Sequence, residues 1–228
     1  VPDVVEHVEG ARGLGADAVV CIGPAGEHEV RFAAMMTSGT RAFGRGGLGA
    51  VLGSKNVKCL TFAGDSARRI EFPPVADEVH REAAESDHIM KRQGTAGLTE
   101  FANEIEALPT RYFSESSFEG APAIGGDAVE EKKYKKGTCS SCAFACKLPT
   151  RDEGAGVETE GPEFETVMAF GSNAGVDDLA AVMRANERCD ELGLDTISCG
   201  DVVSAYLASE GSFGDAELLV DLVERIAH

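Results

Sequence analysis

Three cysteines stand close together in this 228-residue chain, in the run Cys139-Ser-Ser-Cys142-Ala-Phe-Ala-Cys146. A C-x2-C-x3-C spacing lets thiolates converge on one centre from a single loop and helix start. That suits an iron–sulfur cluster, for which a local run often supplies three cysteines and a distant residue the fourth. Structural zinc is one alternative, but it favours two separated pairs, and no second pair or nearby histidine accompanies the run. Accidental buried cysteines are another. The other four, Cys21, Cys59, Cys189 and Cys199, are candidates for the fourth ligand, but they lie in apolar or helical settings and read better as small core residues.

Three further runs carry groups able to grip a ligand. In Thr40-Arg-Ala-Phe-Gly-Arg-Gly-Gly-Leu-Gly49, the glycines Gly44, Gly46, Gly47 and Gly49 let backbone amides turn toward a bound molecule. Arg41 and Arg45 add donors suited to phosphate oxygens. Plain turn glycines explain the same letters equally well. In Asp190-Glu-Leu-Gly-Leu-Asp195 a carboxylate flanks each end of a tight turn and can accept N–H groups of a heterocycle. A helix stop followed by a new helix cap gives that pattern too. In Gly161-Pro-Glu-Phe-Glu-Thr166, Glu163 and Glu165 share a face if the segment is extended and do not if it is helical.

The elements that must position these groups fall into two kinds. Residues 16–65 read as β-rich. Asp17–Ile22 is an apolar run closed by Gly23-Pro24, Val30–Met36 is a second candidate strand, and Val57–Phe62 is a third. A helix starting near Gly47 would aim its N-terminus at an anion. After Pro73-Pro74 the spacing turns helical over Val75–Gln93 and again over Leu98–Leu108. Residues 110–137 read as a polar connection with a basic run, Lys132-Lys-Tyr-Lys-Lys136. From Phe164 onward the chain is helical. Asp177-Asp178 cap a helix that stops at Gly193, Asp195-Thr196 open another that stops near Gly211, and Ala216–His228 make the last. The expected fold class is α+β, with a β-rich unit over residues 1–68 and a mainly helical unit over 69–228.

Composition narrows the function classes. Thirty-nine acidic against 21 basic residues leave a formal charge of -18, which repels rather than neutralises nucleic-acid phosphates. The acids are scattered, which favours a general coat suited to high salt over one acidic face. No apolar stretch is long enough to span a bilayer. Seven cysteines without a signal segment point to a reducing cytoplasm and to metal or redox use. The opening Val1-Pro2 and the closing helix give the chain the look of an internal fragment.

Taken in order, Cys-Ile-Gly-Pro-Ala-Gly-Glu (21–27), the glycine run through 44–56, Cys139/Cys142/Cys146, Gly-Pro-Glu-Phe-Glu-Thr (161–166) and residues 186–195 resemble the aldehyde:ferredoxin oxidoreductases. The resemblance implies a tungsten (or molybdenum) bis-pterin beside a four-iron (4Fe-4S) cluster. It implies oxidation of a small aldehyde to a carboxylic acid, with electrons passed to ferredoxin. It implies a β-rich base for the pterins followed by helical domains. On this resemblance Cys139, Cys142 and Cys146 match cluster ligands. Arg41, Ala42, Gly44, Asp190, Leu194 and Asp195 match pterin contacts, and Glu165 matches an active-site glutamate near the metal. A fourth cluster cysteine, a second Asp-x-x-Gly-Leu motif and an active-site histidine are expected in missing parts of the same enzyme, so the chain alone is expected to be inactive. A homodimer is common in the family. The lysines near the cysteines suit an acidic electron carrier, and a solvated loop explains them as well. An iron–sulfur carrier or scaffold without pterin is the competing reading.

Overall fold

The computed structural model describes residues 3–37, 39–64, 72–139 and 142–228. In the first unit, strands β1 (Ala18–Cys21), β2 (Met35–Thr37), β3 (Arg41–Phe43) and β4 (Cys59–Phe62) form an antiparallel sheet in the order β3-β2-β1-β4. Helix α1 (Val4–Gly13) is opened by Asp3, whose carboxylate accepts the Glu6 amide at 2.9 Å. Its Val4, Val8 and Ala11 fall on one face and pack with Val19, Cys21, Ala34 and Met36 to make a small core. Two short helices, α2 (Pro24–Glu27) and α3 (Leu48–Ser54), pack together at the end of the sheet.

The strand expected over Val30–Met36 is shortened to Met35–Thr37. Residues 30–33 turn instead, with the Ala33 amide on Val30 O at 2.8 Å. The backbone at Phe32 and Ala34 bonds to the second unit: Ala34 N donates to Gly193 O at 2.8 Å, and Asp195 N to Phe32 O at 3.1 Å.

The second unit is mainly helical. It contains α4 (Val75–Glu85), α5 (Met90–Gln93), α6 (Leu98–Glu104), α7 (Ala121–Ile124) and α8 (Gly126–Lys132). A hairpin of β5 (Pro149–Asp152) and β6 (Val157–Glu160) follows, then α9 (Phe164–Phe170), α10 (Leu179–Leu192), α11 (Thr196–Glu210) and α12 (Ala216–Ala227). The single helix expected over Val75–Gln93 is split, because Ser86 turns extended and its hydroxyl accepts the His88 amide at 3.2 Å. The expected connection over 110–137 contains α7 and α8. The boundary expected near residues 66–74 lies largely outside the described residues.

Helix α10 is the spine of this unit. Asp178 caps it, accepting Ala180 N at 2.9 Å and Ala181 N at 3.3 Å, and Gly193 ends it at φ 73°. It contributes Val182 to a core with Phe170, Leu207 and Leu219, and Met183 to a second core with Leu108, Ile124 and Leu148. Each fully buried side chain of this kind contributes about 1.5–3 kcal/mol. The buried Asn186 amide donates to Thr159 Oγ1 at 2.7 Å and Glu160 O at 3.2 Å, fixing the hairpin against α10.

Candidate cofactor site

A cavity of about 230 Å³ opens where the glycine turn meets the α10–α11 corner and the start of α9. Arg41, Ala42 and Gly44 line one side, Asp190, Leu194 and Asp195 another, and Glu163 and Glu165 a third. The six residues expected to contact pterin and the expected active-site glutamate are thus brought to one place from three segments.

Not every glycine of the run serves this cavity. A Cβ on Gly47, held at φ +68°, would lie 2.3 Å from Arg31 O, and one on Gly49 would lie 2.4 Å from Ala34 O. These two let α3 press onto residues 31–34. Gly44 is the glycine of the run that lines the cavity, and a Cβ there would lie 3.3 Å from Asp195 Oδ1. Helix α3 starts directly after Gly47.

Arg41 forms an ion pair with Glu160. Glu160 also accepts from Thr40 Oγ1 at 3.3 Å and from Lys147 Nζ at 3.2 Å. Lys147 directly follows Cys146, so a polar chain of Arg41, Glu160 and Lys147 joins the cavity to the cysteine loop. Glu160 carries no signal in the sequence pattern. Its partner Arg41 lies 119 residues away, and no local spacing signals such a pair.

The two aspartates differ in their surroundings. Asp195 caps α11: its Oδ2 accepts Ser198 N at 3.1 Å and Ser198 Oγ at 2.6 Å, with Arg45 at 3.5 Å. Its Oδ1 lies on the Gly44 side, so the cap and cavity-lining roles coexist. The Asp190 carboxylate makes no hydrogen bond among the described residues. Burial pushes its pKa up to about 8, with Arg41 opposing and Glu191 and Glu187 adding to the rise. An acceptor without a partner at a cavity wall fits a ligand carrying N–H donors, which would return the group to its ionised form. The donor set of the cavity therefore fits the ring nitrogens and phosphate of a pterin cofactor.

Glu163 and Glu165 stand in a helix start, so they do not share a face. Glu163 occupies the cap position of α9, and its Oε2 accepts Thr95 Oγ1 at 2.5 Å. The same Thr95 oxygen accepts the Phe164 amide at 2.9 Å. Glu165 is exposed and sits in the first turn of α9, where the helix dipole favours a carboxylate. Unlike Glu163, its carboxylate has no hydrogen-bond partner among the described residues. Thr166 and Thr196 bond through their hydroxyls at 2.8 Å across the cavity floor.

Cys139, Cys142 and Cys146 lie on a loop rather than at the expected helix start; Ser140 and Ser141 between them lie outside the described residues. Cys139 and Cys142 are exposed and Cys146 is half-buried. Among the described residues no three metal-binding side chains are gathered around one point. The loop nevertheless favours a thiolate: the backbone amides of Phe144 and Ala145 and the Thr138 hydroxyl lower the Cys142 pKa. Amides aimed at a thiolate sulfur fit a cluster ligand. A wider cleft of about 570 Å³ flanks the loop, lined by Ser86, Asp87, Lys91, Arg92, Lys136 and Ala145.

Most of the nearby lysines are engaged within the chain. Lys132 pairs with Asp152 at 2.7 Å. Lys133 Nζ donates to Lys91 O at 2.8 Å, and burial lowers its pKa. Lys135 lies over the Tyr134 ring at 4.9 Å, and Lys136 is exposed on the cleft.

Known proteins match nearly all of the chain. Residues 1–64 match the N-terminal domain of aldehyde ferredoxin oxidoreductase, and residues 74–228 match its domains 2 and 3. A tungsten-containing aldehyde ferredoxin oxidoreductase of Thermococcus kodakarensis is 37% identical over 99% of this chain and 42% of its own length. The Pyrococcus furiosus protein of the same name is 39% identical over 88% of this chain and 34% of its own length. The chain therefore spans well under half the length of these relatives. Among solved structures, the active site complex BamBC of benzoyl coenzyme A reductase shares the fold, with a TM-score of 0.67 at 20% identity over 99% of this chain and 40% of that one. With family matches over both units and the motif residues gathered at one cavity, the chain belongs to the aldehyde ferredoxin oxidoreductase family.

Proposed function

We propose that this chain forms the cofactor-gripping part of a tungsten- (or molybdenum-) pterin oxidoreductase that oxidises aldehydes to carboxylic acids and passes the electrons through a 4Fe-4S cluster to ferredoxin. The observation that carries this reading is the single cavity lined by Arg41, Ala42, Gly44, Glu165, Asp190, Leu194 and Asp195, joined through Glu160 to the residue after Cys146. Relatives whose names state tungsten, aldehyde and ferredoxin support it. Residues 1–68 act as the pterin base and 69–228 as the helical domain. Further segments of the same enzyme supply the fourth cluster ligand. A reducing cytoplasm suits the free thiols. Among the described residues no helix is long and apolar enough to cross a membrane.

A bound metal–pterin supplies the two-electron redox chemistry, and the protein supplies placement and protons. Arg41 offers guanidinium N–H groups to phosphate oxygens while Glu160 orients it. Asp190 and Asp195, at the α10–α11 corner, would accept heterocycle N–H groups of the bound cofactor. Glu165 takes up and holds the proton lost as the aldehyde is hydrated and oxidised. Cys139, Cys142 and Cys146 offer thiolates to cluster iron, and Lys147 offsets part of their charge.

Metal analysis of the full-length enzyme that contains this chain, purified without oxygen, tests the reading. Tungsten or molybdenum together with about four irons is the expected content. Iron alone points to an electron carrier without pterin, and zinc alone overturns the assignment.

A further inference from the structure

Two of the cysteines outside the cluster loop face each other in the first sheet. Strands β1 and β4 pair antiparallel with Cys21 directly opposite Cys59. Ile22 N donates to Lys58 O at 3.0 Å, so Ile22 and Lys58 form a hydrogen-bonded pair. Pairs alternate along an antiparallel ladder, which makes Cys21–Cys59 a non-hydrogen-bonded pair. Such pairs hold their Cα atoms about 4.5 Å apart with both side chains on one face, and disulfides span Cα separations of about 4.4–6.8 Å. Both thiols are free, and both belong to the apolar cluster beneath α1.

We infer that Cys21 and Cys59 are a redox-modifiable pair that closes to a disulfide across β1 and β4 when the protein meets a peroxide. Their exposure divides the work. Cys21 is fully buried, with its sulfur 3.9 Å from both Val4 O and Met36 O. Cys59 is half-buried and is the sulfur a small oxidant reaches. Burial raises the pKa of both: Cys21 goes to about 12, whereas beside Cys59 the Lys58 ammonium opposes the rise. Cys59 therefore reacts first. Its thiolate attacks a peroxide oxygen, the O–O bond breaks, and hydroxide leaves as Cys59 becomes a sulfenic acid. The Cys21 sulfur then attacks the Cys59 sulfur. The S–O bond breaks, and water departs with the Cys21 proton. In sum the two thiols give two electrons to the peroxide, which becomes two waters.

The bond has a structural consequence. β4 is an edge strand whose ladder partner among the described residues is β1. The ring closed between Cys21 and Cys59 encloses the glycine turn with Arg41 and Gly44. Oxidation thus adds a covalent tie at the base of the segment that forms one wall of the cavity, a segment that the β1–β2–β3 ladder already holds while both thiols are free.

Hydrogen peroxide treatment of the intact protein, followed by acid quench, alkylation and peptide mass spectrometry, tests the inference. A peptide linking Cys21 to Cys59, about 2 Da lighter than the two reduced peptides and lost on adding dithiothreitol, is expected. In the Cys59→Ser variant, whose altered side chain is only half-buried, Cys21 should remain a free thiol after the same treatment. Three results would each overturn the inference: Cys59 accumulating as sulfinic acid beside an alkylatable Cys21, either cysteine linked to a different one, or no change in either under peroxide that oxidises other cysteines of the chain.

Discussion

Replacing Asp190 with Asn removes a carboxyl group whose pKa burial raises from 3.8 to about 8. A carboxyl with a raised folded-state pKa favours the folded chain when protonated. Its contribution is fully present below about 3.8, and it is lost as pH climbs through about 8. A shift of about four units corresponds to a ceiling of roughly 6 kcal/mol. The side chain is only half-buried and opens on a cavity beside Arg41, so about half of that ceiling, ~3 kcal/mol, is expected. Asn keeps the shape and carries no charge. In the cofactor-free protein, Asp190→Asn should therefore match the parent near pH 4 and exceed it by ~3 kcal/mol at pH 9, a gain of about 6–12 °C in melting midpoint. Urea denaturation of both proteins across pH 4–9, followed by circular dichroism, measures the difference. A difference that stays flat across that range, or that favours the parent at high pH, refutes the argument. With cofactor bound the order reverses, because Asn lacks the carboxylate acceptor and cofactor occupancy should fall.

Two other substitutions probe separate parts of the structure. A Cβ on Gly53 would lie 1.8 Å from Gly26 O, so Gly53→Ala forces α3 away from α2 and should cost about 2–4 kcal/mol in urea denaturation; unchanged stability would contradict the close approach. Glu165→Gln in the full-length enzyme should leave metal content unchanged and lower kcat by about 100-fold or more; a kcat within a few-fold of the parent's would remove Glu165 from proton handling.

Several features were legible because they are local. Asp178 and Gly193 bracket α10, and Asp195 and Gly211 bracket α11, through hydrogen bonds and backbone angles spanning only a few residues. The apolar runs that become β1 and β4 are legible for the same reason. Helix α1 was not read, although Val4, Val8 and Ala11 carry its spacing. The β5–β6 hairpin was also missed, although Asp152 to Gly156 offers the letters of a turn between two alternating segments.

By itself the sequence determined which reactive side-chain types are present, the order of the motifs, and the capped helices of the second unit. Only the tertiary structure decided which glycines serve packing and which faces the cavity. It also chose Glu160 as the partner of both Arg41 and Lys147, left Asp190 without one among the described residues, and placed Cys21 opposite Cys59. The division follows from range. Caps and periodicity are set by neighbours in the chain. A close approach, an ion pair across 119 residues or a shifted carboxyl depends on which surfaces meet, and the spacing of letters along the chain does not encode that.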